Sequence, residues 1–167
     1  TDKKYDRIVT RFTKCLTHPF RNQETALGNL IADILKDSLG VDLMLFGSGE
    51  IRGYTLGPVV HYHDLVECLP YDEPVYMLKV TDAQLERMLR FILREEALTG
   101  EHTEFYQFSH GMRMVWDRKE HKFHELALDG KPIEEKQLYS IAVSKYHFMN
   151  LQEFLNISLE EAKDTVA

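Results

Sequence analysis

The strongest constraint on the fold lies in residues 21–53, where a helix pattern is followed directly by a strand pattern and a glycine turn. Asn22 and Gly40 are suited to cap the two ends of the helix. Residues 42–46 then form a short apolar run typical of a buried strand. The segment therefore predicts a helix packed against a sheet. Its apolar face repeats at i, i+3, i+4, i+7 and i+8 and consists of Leu27, Leu30, Ile31, Ile34 and Leu35.

The turn that ends this strand, Gly-Ser-Gly at residues 47–49, has the layout of a ligand site. Backbone amides of a glycine turn can approach an anion closely. Arg52 follows the turn and Arg21 precedes the helix, and a guanidinium matches the geometry of phosphate oxygens. Surface arginines paired with Glu24 or Glu50 are the simpler alternative from spacing alone.

The remaining chain mixes strand and helix patterns without strict alternation. Thr81 and Gln84 form a capping-box pattern for a second helix that we expect Gly100 to close. Ser158 and Glu161 form another, which opens a terminal helix. Such a mixture predicts one α+β domain over residues 1–167, with a mixed β-sheet packed with helices. Strands are predicted in residues 7–16, 74–80, 105–108, 112–116, 123–128 and 138–143, a hairpin turn at 129–130, a loop at 54–60 and a short helix ending at Cys68.

Charge and hydropathy limit the partners. The chain has 20 basic and 27 acidic residues and a net charge of −7, which argues against a nucleic acid as partner. A small phosphorylated ligand needs only two or three local arginines. No run of 18 apolar residues exists, so we expect no membrane span. Because the chain begins with Thr1 rather than Met, we expect a natural N-terminal region to precede it, and the compartment stays unassigned.

Two further groups of reactive side chains are candidate sites. Cys15 and Cys68 are too few for a disulfide framework, so two reduced, buried thiols are expected. His61 and His63 share one face of an extended segment beside Asp64, and could chelate a metal. Structural or exposed histidines explain them more economically, so no metal site is predicted. An autonomous metallohydrolase built on these three residues is the remaining alternative.

The motif R-x-x-E-T-x-L-G-N-L-x-A-D begins at Arg21, and G-x-G-x-I-R ends at Arg52. With the strand between them, they resemble the C-terminal domain of the bimetallic 5′-nucleotidases. That family includes UDP-sugar hydrolases and 2′,3′-cyclic-nucleotide phosphodiesterases. The resemblance continues in order along nearly the whole chain. Further matching segments are residues 57–60, 64–65, 69–71, 105–109, 128–130 and 139–142.

The resemblance implies a nucleotide-binding site. Arg21 and Arg52 match the arginines that hold the phosphate side of the substrate, and Gly49 of the turn belongs to the same set. Tyr71 and Tyr146 match the two aromatic residues that sandwich the base. Stacking of this kind tolerates different bases. Two core tyrosines are the simpler alternative without the resemblance.

Several positions depart from the family pattern. The family usually has Asn or another small polar residue at Gly47, and a glycine at Ser48. It commonly has Gly-Gly-Asp-Gly after the second aromatic residue, where this chain reads Asn-Leu-Gln-Glu-Phe at residues 150–154. Gln152 and Glu153 are then the candidates to accept a ribose hydroxyl hydrogen bond. Because only glycine adopts positive φ freely, the loop backbone must differ, and the preference for sugar or base stays open.

The resemblance also implies a division of labour. In the family, an N-terminal metallophosphatase domain holds two divalent metal ions and performs hydrolysis. Its signatures D-x-H, G-N-H-D/E and G-H-x-H are absent from this sequence. We therefore expect no catalytic residue and no cofactor in this chain, and a nucleotide or nucleotide-sugar plus the metallophosphatase domain as partners. The alternative is a drifted family fold that serves as an interaction module without nucleotide affinity.

Overall fold

The computed structural model describes residues 3–100 and 103–164. The strands are β1 Ile8–Arg11, β2 Leu16–Thr17, β3 Leu43–Gly47, β4 Thr55–Leu56, β5 Val59–His61, β6 Val75–Thr81, β7 Tyr106–Phe108, β8 Met112–Asp117, β9 Lys122–Leu128, β10 Lys131–Pro132 and β11 Leu138–Ser144. The helices are α1 Ala26–Leu39, α2 Tyr62–Cys68, α3 Asp82–Ile92, α4 Glu95–Thr99, α5 Lys145–Met149, α6 Leu151–Leu155 and α7 Leu159–Asp164.

A four-stranded mixed sheet forms the centre of the molecule, in the order β6-β11-β3-β7. Strands β11 and β3 are parallel, while β6 and β7 run antiparallel to their neighbours. Because side chains alternate along a strand, Leu43 and Leu45 face the core that contains α3, whereas Met44 faces α1. The predicted α+β class with helices packed on a mixed sheet is confirmed.

Helix α1 begins later than predicted. Its N-cap is Thr25, whose hydroxyl accepts the Gly28 amide at 3.1 Å. Asn22 was expected in that role, but its side-chain amide instead donates to the Leu98 carbonyl at 3.1 Å. The other end is as predicted, because Gly40 lies in the left-handed region with φ 67°.

The buried face of α1 is rotated from the predicted apolar stripe. Ile34 is 53% exposed, whereas Ala32 and Lys36 are buried. Lys36 tolerates burial because its ammonium donates to the His110 carbonyl at 2.8 Å and to Asp129 Oδ1 at 2.9 Å. These two bonds tie α1 to the far end of the sheet, a partner set that hydrophobic periodicity could not foresee.

The smaller strands correct two sequence expectations. The single strand predicted in residues 7–16 is divided into β1 and β2, and the predicted loop at 54–60 contains β4 and the start of β5. These short strands pair with each other, β1 with β5 and β2 with β4, all antiparallel. Their pairing is long-range, and short segments carry too little periodicity to predict it. The predicted hairpin of β9 and β10 is present.

Helix capping is confirmed at two of the predicted boxes. Thr81 and Gln84 exchange side-chain and backbone hydrogen bonds at the start of α3, and Ser158 and Glu161 do so before α7. Gly100 was expected to close α3, which instead ends at residue 92. The glycine caps the separate helix α4, with φ 82°.

Both cysteines are free thiols, as predicted, but only Cys68 is buried; Cys15 is exposed. Cys15 follows the end of β1 in the outer part of the molecule, so it has no core to enter. No helix in residues 3–100 and 103–164 is long and apolar enough to cross a bilayer.

Candidate functional site

A cleft of about 320 Å³ opens at one end of the central sheet. Its walls come from the turn after β3, the segment before β6, Glu104 and helix α5. Five of the seven predicted binding residues line it. The complete lining is Arg21, Gly49, Glu50, Arg52, Tyr71, Glu73, Glu104, Tyr146 and His147.

A buried hydrogen-bond network holds the α1–β3 side of the cleft. Thr25 donates its hydroxyl to His18 Nδ1 at 2.7 Å, and His18 Nε2 donates to the Ser48 carbonyl at 3.0 Å. Gln107 on β7 accepts the Thr25 amide at 3.0 Å and donates to Ser48 Oγ at 3.0 Å. Burial lowers the pKa of His18, so the ring is held neutral in this tautomer. The network fixes the turn from which Gly49 and Arg52 extend.

The turn after β3 does not offer its amides to a ligand. Residues 48–50 form a single 3₁₀ turn. The Gly47 amide donates to Glu50 Oε2 and the Gly49 amide to Glu104 Oε1, both at 2.9 Å, while the Ser48 amide donates to the Phe105 carbonyl at 2.8 Å. The sequence analysis expected these amides to approach a ligand anion, and this expectation is wrong. Two protein carboxylates and a backbone carbonyl already accept their hydrogen bonds.

The two guanidinium groups remain available for an anion. Within the described residues, neither Arg21 nor Arg52 lies within ion-pair distance of a carboxylate, so the expected pairing with Glu24 or Glu50 does not occur. Arg52 donates to the Gly49 carbonyl at 3.3 Å. Two unpaired cations on one wall leave an anion-binding function to the side chains rather than to the turn.

The two predicted stacking residues face the same cleft and are not core residues. Tyr71 is 53% and Tyr146 is 52% exposed. The Arg52 guanidinium lies 6.0 Å from the centre of the Tyr71 ring, within cation–π range. The Tyr146 ring packs against Phe154 of α6, with ring centres 5.5 Å apart. The structure thus brings both rings and both arginines to one cavity.

A buried polar pair supports Tyr146 from below. The Tyr106 hydroxyl and His147 Nδ1 are 2.6 Å apart, and both residues are fully buried. His147 Nε2 has no hydrogen-bond partner within the described chain, although Glu50 Oε2 lies 3.4 Å away. A Cβ on Gly47 would collide with this nitrogen. Gly47, where the family usually has a larger residue, therefore makes room for the His147 ring.

Sequence reasoning missed three acidic residues of the cleft, Glu50, Glu73 and Glu104. Burial raises the pKa of Glu104, although the Gly49 amide opposes the shift. Glu73 Oε2 accepts the Tyr146 amide at 3.2 Å and so fixes the start of α5. The sequence shows Glu73 two residues after Tyr71 and Glu50 directly after the glycine turn. However, no periodic pattern marks a single glutamate that points into a cleft.

Gln152 and Glu153 lie outside the cleft lining. Both are on α6 and exposed, and Gln152 Nε2 donates to Asn156 Oδ1 at 3.2 Å. None of residues 150–154 is glycine, and Leu151–Leu155 form helix α6. A role for these two residues in sugar recognition stays a prediction.

The fold and cleft define a small α+β domain with an aromatic- and arginine-lined pocket at the end of its central sheet. The family described as 5′-nucleotidase, C-terminal domain, matches residues 8–157. The chain belongs to this family, as the sequence motifs predicted. A search of the curated proteins finds no match.

Several solved structures share the fold. A 5′-nucleotidase precursor from Thermus thermophilus superimposes with a TM-score of 0.69 at 18% identity over 86% of this chain. The NAD nucleotidase NadN from Haemophilus influenzae superimposes with a TM-score of 0.67 at 18% identity over 91% of this chain. The sulfate thiohydrolase SoxB from T. thermophilus superimposes with a TM-score of 0.69 at 14% identity over 91% of this chain. This chain spans about 30% of each of those three chains.

Proposed function

We propose that this domain recognises a nucleotide or nucleotide-sugar on behalf of a metal-dependent phosphoesterase. The observation that carries the proposal is the convergence of Tyr71, Tyr146, Arg21 and Arg52 on a single cleft. Membership of the 5′-nucleotidase C-terminal family supports it.

The base is recognised by stacking. Tyr71 and Tyr146 both line the cleft and are each about half exposed, which leaves part of each ring accessible to a planar ligand. Stacking of a base on an aromatic ring contributes roughly 1–3 kcal/mol and requires no particular base. The packing of Tyr146 on Phe154 limits how far that ring can turn away.

Arg21 and Arg52 hold the anionic end of the ligand. Each guanidinium is fully charged at any working pH and is free of carboxylate partners within the described residues. Charge-assisted bonds to phosphate oxygens are then formed without breaking an existing ion pair.

Hydrolysis belongs, in this proposal, to a metallophosphatase domain with two divalent metal ions. Binding energy gained at the base and at the arginines positions the scissile phosphate relative to those metals. A hinge between the two domains delivers it. The chain described here supplies recognition and no catalytic group.

Calorimetry with AMP, UDP-glucose and NAD tests the recognition role. We expect at least one of them to bind, and Tyr146→Ala to weaken binding roughly 5- to 150-fold, as loss of one stacking contact implies. Met149→Ala is the matched control, because Met149 lies on the same helix α5, is 65% exposed and does not line the cleft.

Equal affinity in wild type and Tyr146→Ala would reject the sandwich. Measurable phosphoester hydrolysis by the isolated chain would reject the division of labour separately.

A second candidate is an interaction module without nucleotide affinity. Three carboxylates of the cleft, Glu50, Glu73 and Glu104, favour it, since they disfavour a polyanionic ligand. The same titrations distinguish the two candidates, because a module of this kind binds none of the three nucleotides.

A further inference from the structure

A second cluster of chemically active side chains lies away from the cleft, where β5 passes into α2. His61, His63 and Asp64 place one ligand atom each within 4.8 Å of one another. Their side chains are 35%, 43% and 32% exposed, so solvent ions reach them while the groups stay partly desolvated. Sequence spacing alone favoured plain surface histidines at these positions.

The tautomer of His63 is fixed by a neighbouring segment. Its Nδ1 lies 3.0 Å from the carbonyl oxygen of Tyr5, and this oxygen also accepts the His63 backbone amide at 3.1 Å. A carbonyl oxygen can only accept, so Nδ1 carries a proton. In the neutral ring, Nε2 is then unprotonated and carries a lone pair.

That lone pair faces a carboxylate. Nε2 of His63 lies 3.1 Å from Asp64 Oδ1, and two acceptors at this distance repel each other unless a cation lies between them. A histidine that donates one nitrogen to a backbone carbonyl and directs the other at a cation has the arrangement of a metal ligand. The contact is therefore incomplete without a proton or a metal ion.

His61 places a second imidazole beside the same Asp64 carboxylate. Its ring is stacked on that of His63 with centres 5.3 Å apart and planes 10° apart. His61 Nδ1 lies 3.3 Å from Asp64 Oδ2. Ligands about 2.0–2.1 Å from a tetrahedral zinc ion are about 3.3–3.4 Å from one another. The two measured separations, 3.1 Å to Asp64 Oδ1 and 3.3 Å to Asp64 Oδ2, are close to this size, and they place one imidazole nitrogen beside each oxygen of the same carboxylate.

We propose that His61, His63 and Asp64 bind one divalent transition-metal ion of the zinc type, with its remaining position open to solvent. Two imidazoles and one carboxylate form a ligand set suited to such ions. The bound ion strengthens the attachment of the segment at Tyr5 to the start of α2, through the His63 ring. This site is independent of the nucleotide cleft and of the two metals proposed for the partner domain.

Titration of the metal-free protein with Zn²⁺ by calorimetry tests the site. We expect one equivalent to bind, and His63→Ala and His61→Ala each to weaken binding tenfold or more. Asp64→Asn is expected to weaken it as well while its amide oxygen still accepts the His61 backbone amide, which Asp64 binds at 2.7 Å. Circular dichroism checks that each variant is folded.

A matched control exists elsewhere in the chain. Asp117, Glu120 and His124 form the other cluster of comparable size among the described residues. There His124 Nε2 lies 3.1 Å from Asp117 Oδ2, but within the described residues no carbonyl oxygen fixes the tautomer of the His124 ring as Tyr5 does for His63. We expect His124→Ala to bind Zn²⁺ as tightly as the wild type.

Three results would overturn the proposal. One is the absence of stoichiometric Zn²⁺ binding, with NMR titration showing a proton shared between His63 and Asp64. Another is unchanged affinity in His63→Ala. The third is an X-ray absorption spectrum of the Zn²⁺-loaded wild type without imidazole nitrogen ligands, a measurement that remains valid if the variants fail to fold.

Discussion

The two walls of the cleft are held by different kinds of interaction. The wall built by α1 and β3 rests on buried side chains, since His18, Ser48 and Gln107 are each less than 5% exposed and hydrogen bond to one another or to Thr25. These contacts join segments distant in sequence. The positions of Gly49 and Arg52 are therefore set before any ligand arrives.

The wall built by α5 combines both kinds of contact, because Tyr146 packs on His147 of the buried Tyr106–His147 pair while its own backbone hydrogen bonds are exposed. The Tyr146 amide donates to the exposed Glu73 carboxylate, and the Tyr146 carbonyl accepts from Asn150 Nδ2 at 2.8 Å. Hydrogen bonds in contact with water contribute less than buried ones. The difference indicates a rigid arginine wall and a more adjustable aromatic wall around Tyr146, which fits the proposed stacking of different bases.

Removing the central residue of the rigid wall should have the largest effect. We expect Gln107→Leu to lower the free energy of unfolding by roughly 3 kcal/mol, because the buried Thr25 and Ser48 and the carbonyl of Gln23 lose their hydrogen bonds to its side chain. Urea denaturation measures it. Gln152→Leu on the exposed surface of α6, as control, should change it by less than about 0.5 kcal/mol. Equal losses would remove the contrast between the walls.

A substitution at the contact between the walls should have an intermediate effect. Gly47→Ala places a Cβ against His147 Nε2, and overpacking of this kind costs about 1–3 kcal/mol. In a His147→Ala background the same change should cost about 1 kcal/mol less. A double-mutant cycle in urea gives this coupling. Additive effects would mean that the walls do not meet through this pair.

The pH dependence of stability sharpens the description of the rigid wall. Burial holds the pKa of His18 below its ordinary value of 6.5, so the unfolded chain binds a proton that the folded chain resists. Stability is therefore fully present above pH 6.5 and is lost as the pH falls through the lowered pKa.

Unfolding measurements between about pH 8 and pH 5 test this on His18→Gln, whose profile should be flatter than that of the wild type. His124→Ala, with an exposed ring, should retain the wild-type slope. Parallel profiles for wild type and His18→Gln would contradict the assignment.

The smallest effect is expected on the adjustable wall. Gln152→Ala and Glu153→Ala should alter nucleotide affinity by less than about twofold, because neither side chain lines the cleft in this arrangement. Calorimetry with the nucleotide that binds the wild type most tightly measures it. A tenfold loss in either variant would instead restore the sugar-binding role that their sequence position predicts.

Local patterns predicted well wherever neighbours in sequence decide the structure. The capping residues Gly40, Thr81 and Ser158 were identified correctly because each acts within one helical turn. Helix α3 buries Leu85, Met88, Leu89 and Ile92, which recur at helical spacing along the sequence. In α1 the stripe was wrong at Ile34, since a buried Lys36 with partners on other elements rotated the helix.

The site was only partly predictable. The resemblance identified Tyr71, Tyr146, Arg21 and Arg52, and the structure brings them to one cleft. Composition and spacing alone favoured surface arginines and core tyrosines. His147 and Glu104 went unnoticed because their roles depend on contacts with Tyr106 and Gly49 across the fold.

By itself, the sequence determined the strands of the central sheet and the helices α1, α2, α3 and α7, because hydrophobic period and capping chemistry act over a few residues; the short helices α4, α5 and α6 were not predicted. It also determined the family, through motifs spread over the chain. Only the tertiary structure decided which polar groups are already satisfied, namely that the turn amides bind Glu50 and Glu104 while the arginines stay unpaired within the described part of the chain. The physical reason is that a hydrogen-bond partner is defined by proximity in space, and chain order does not encode that distance locally.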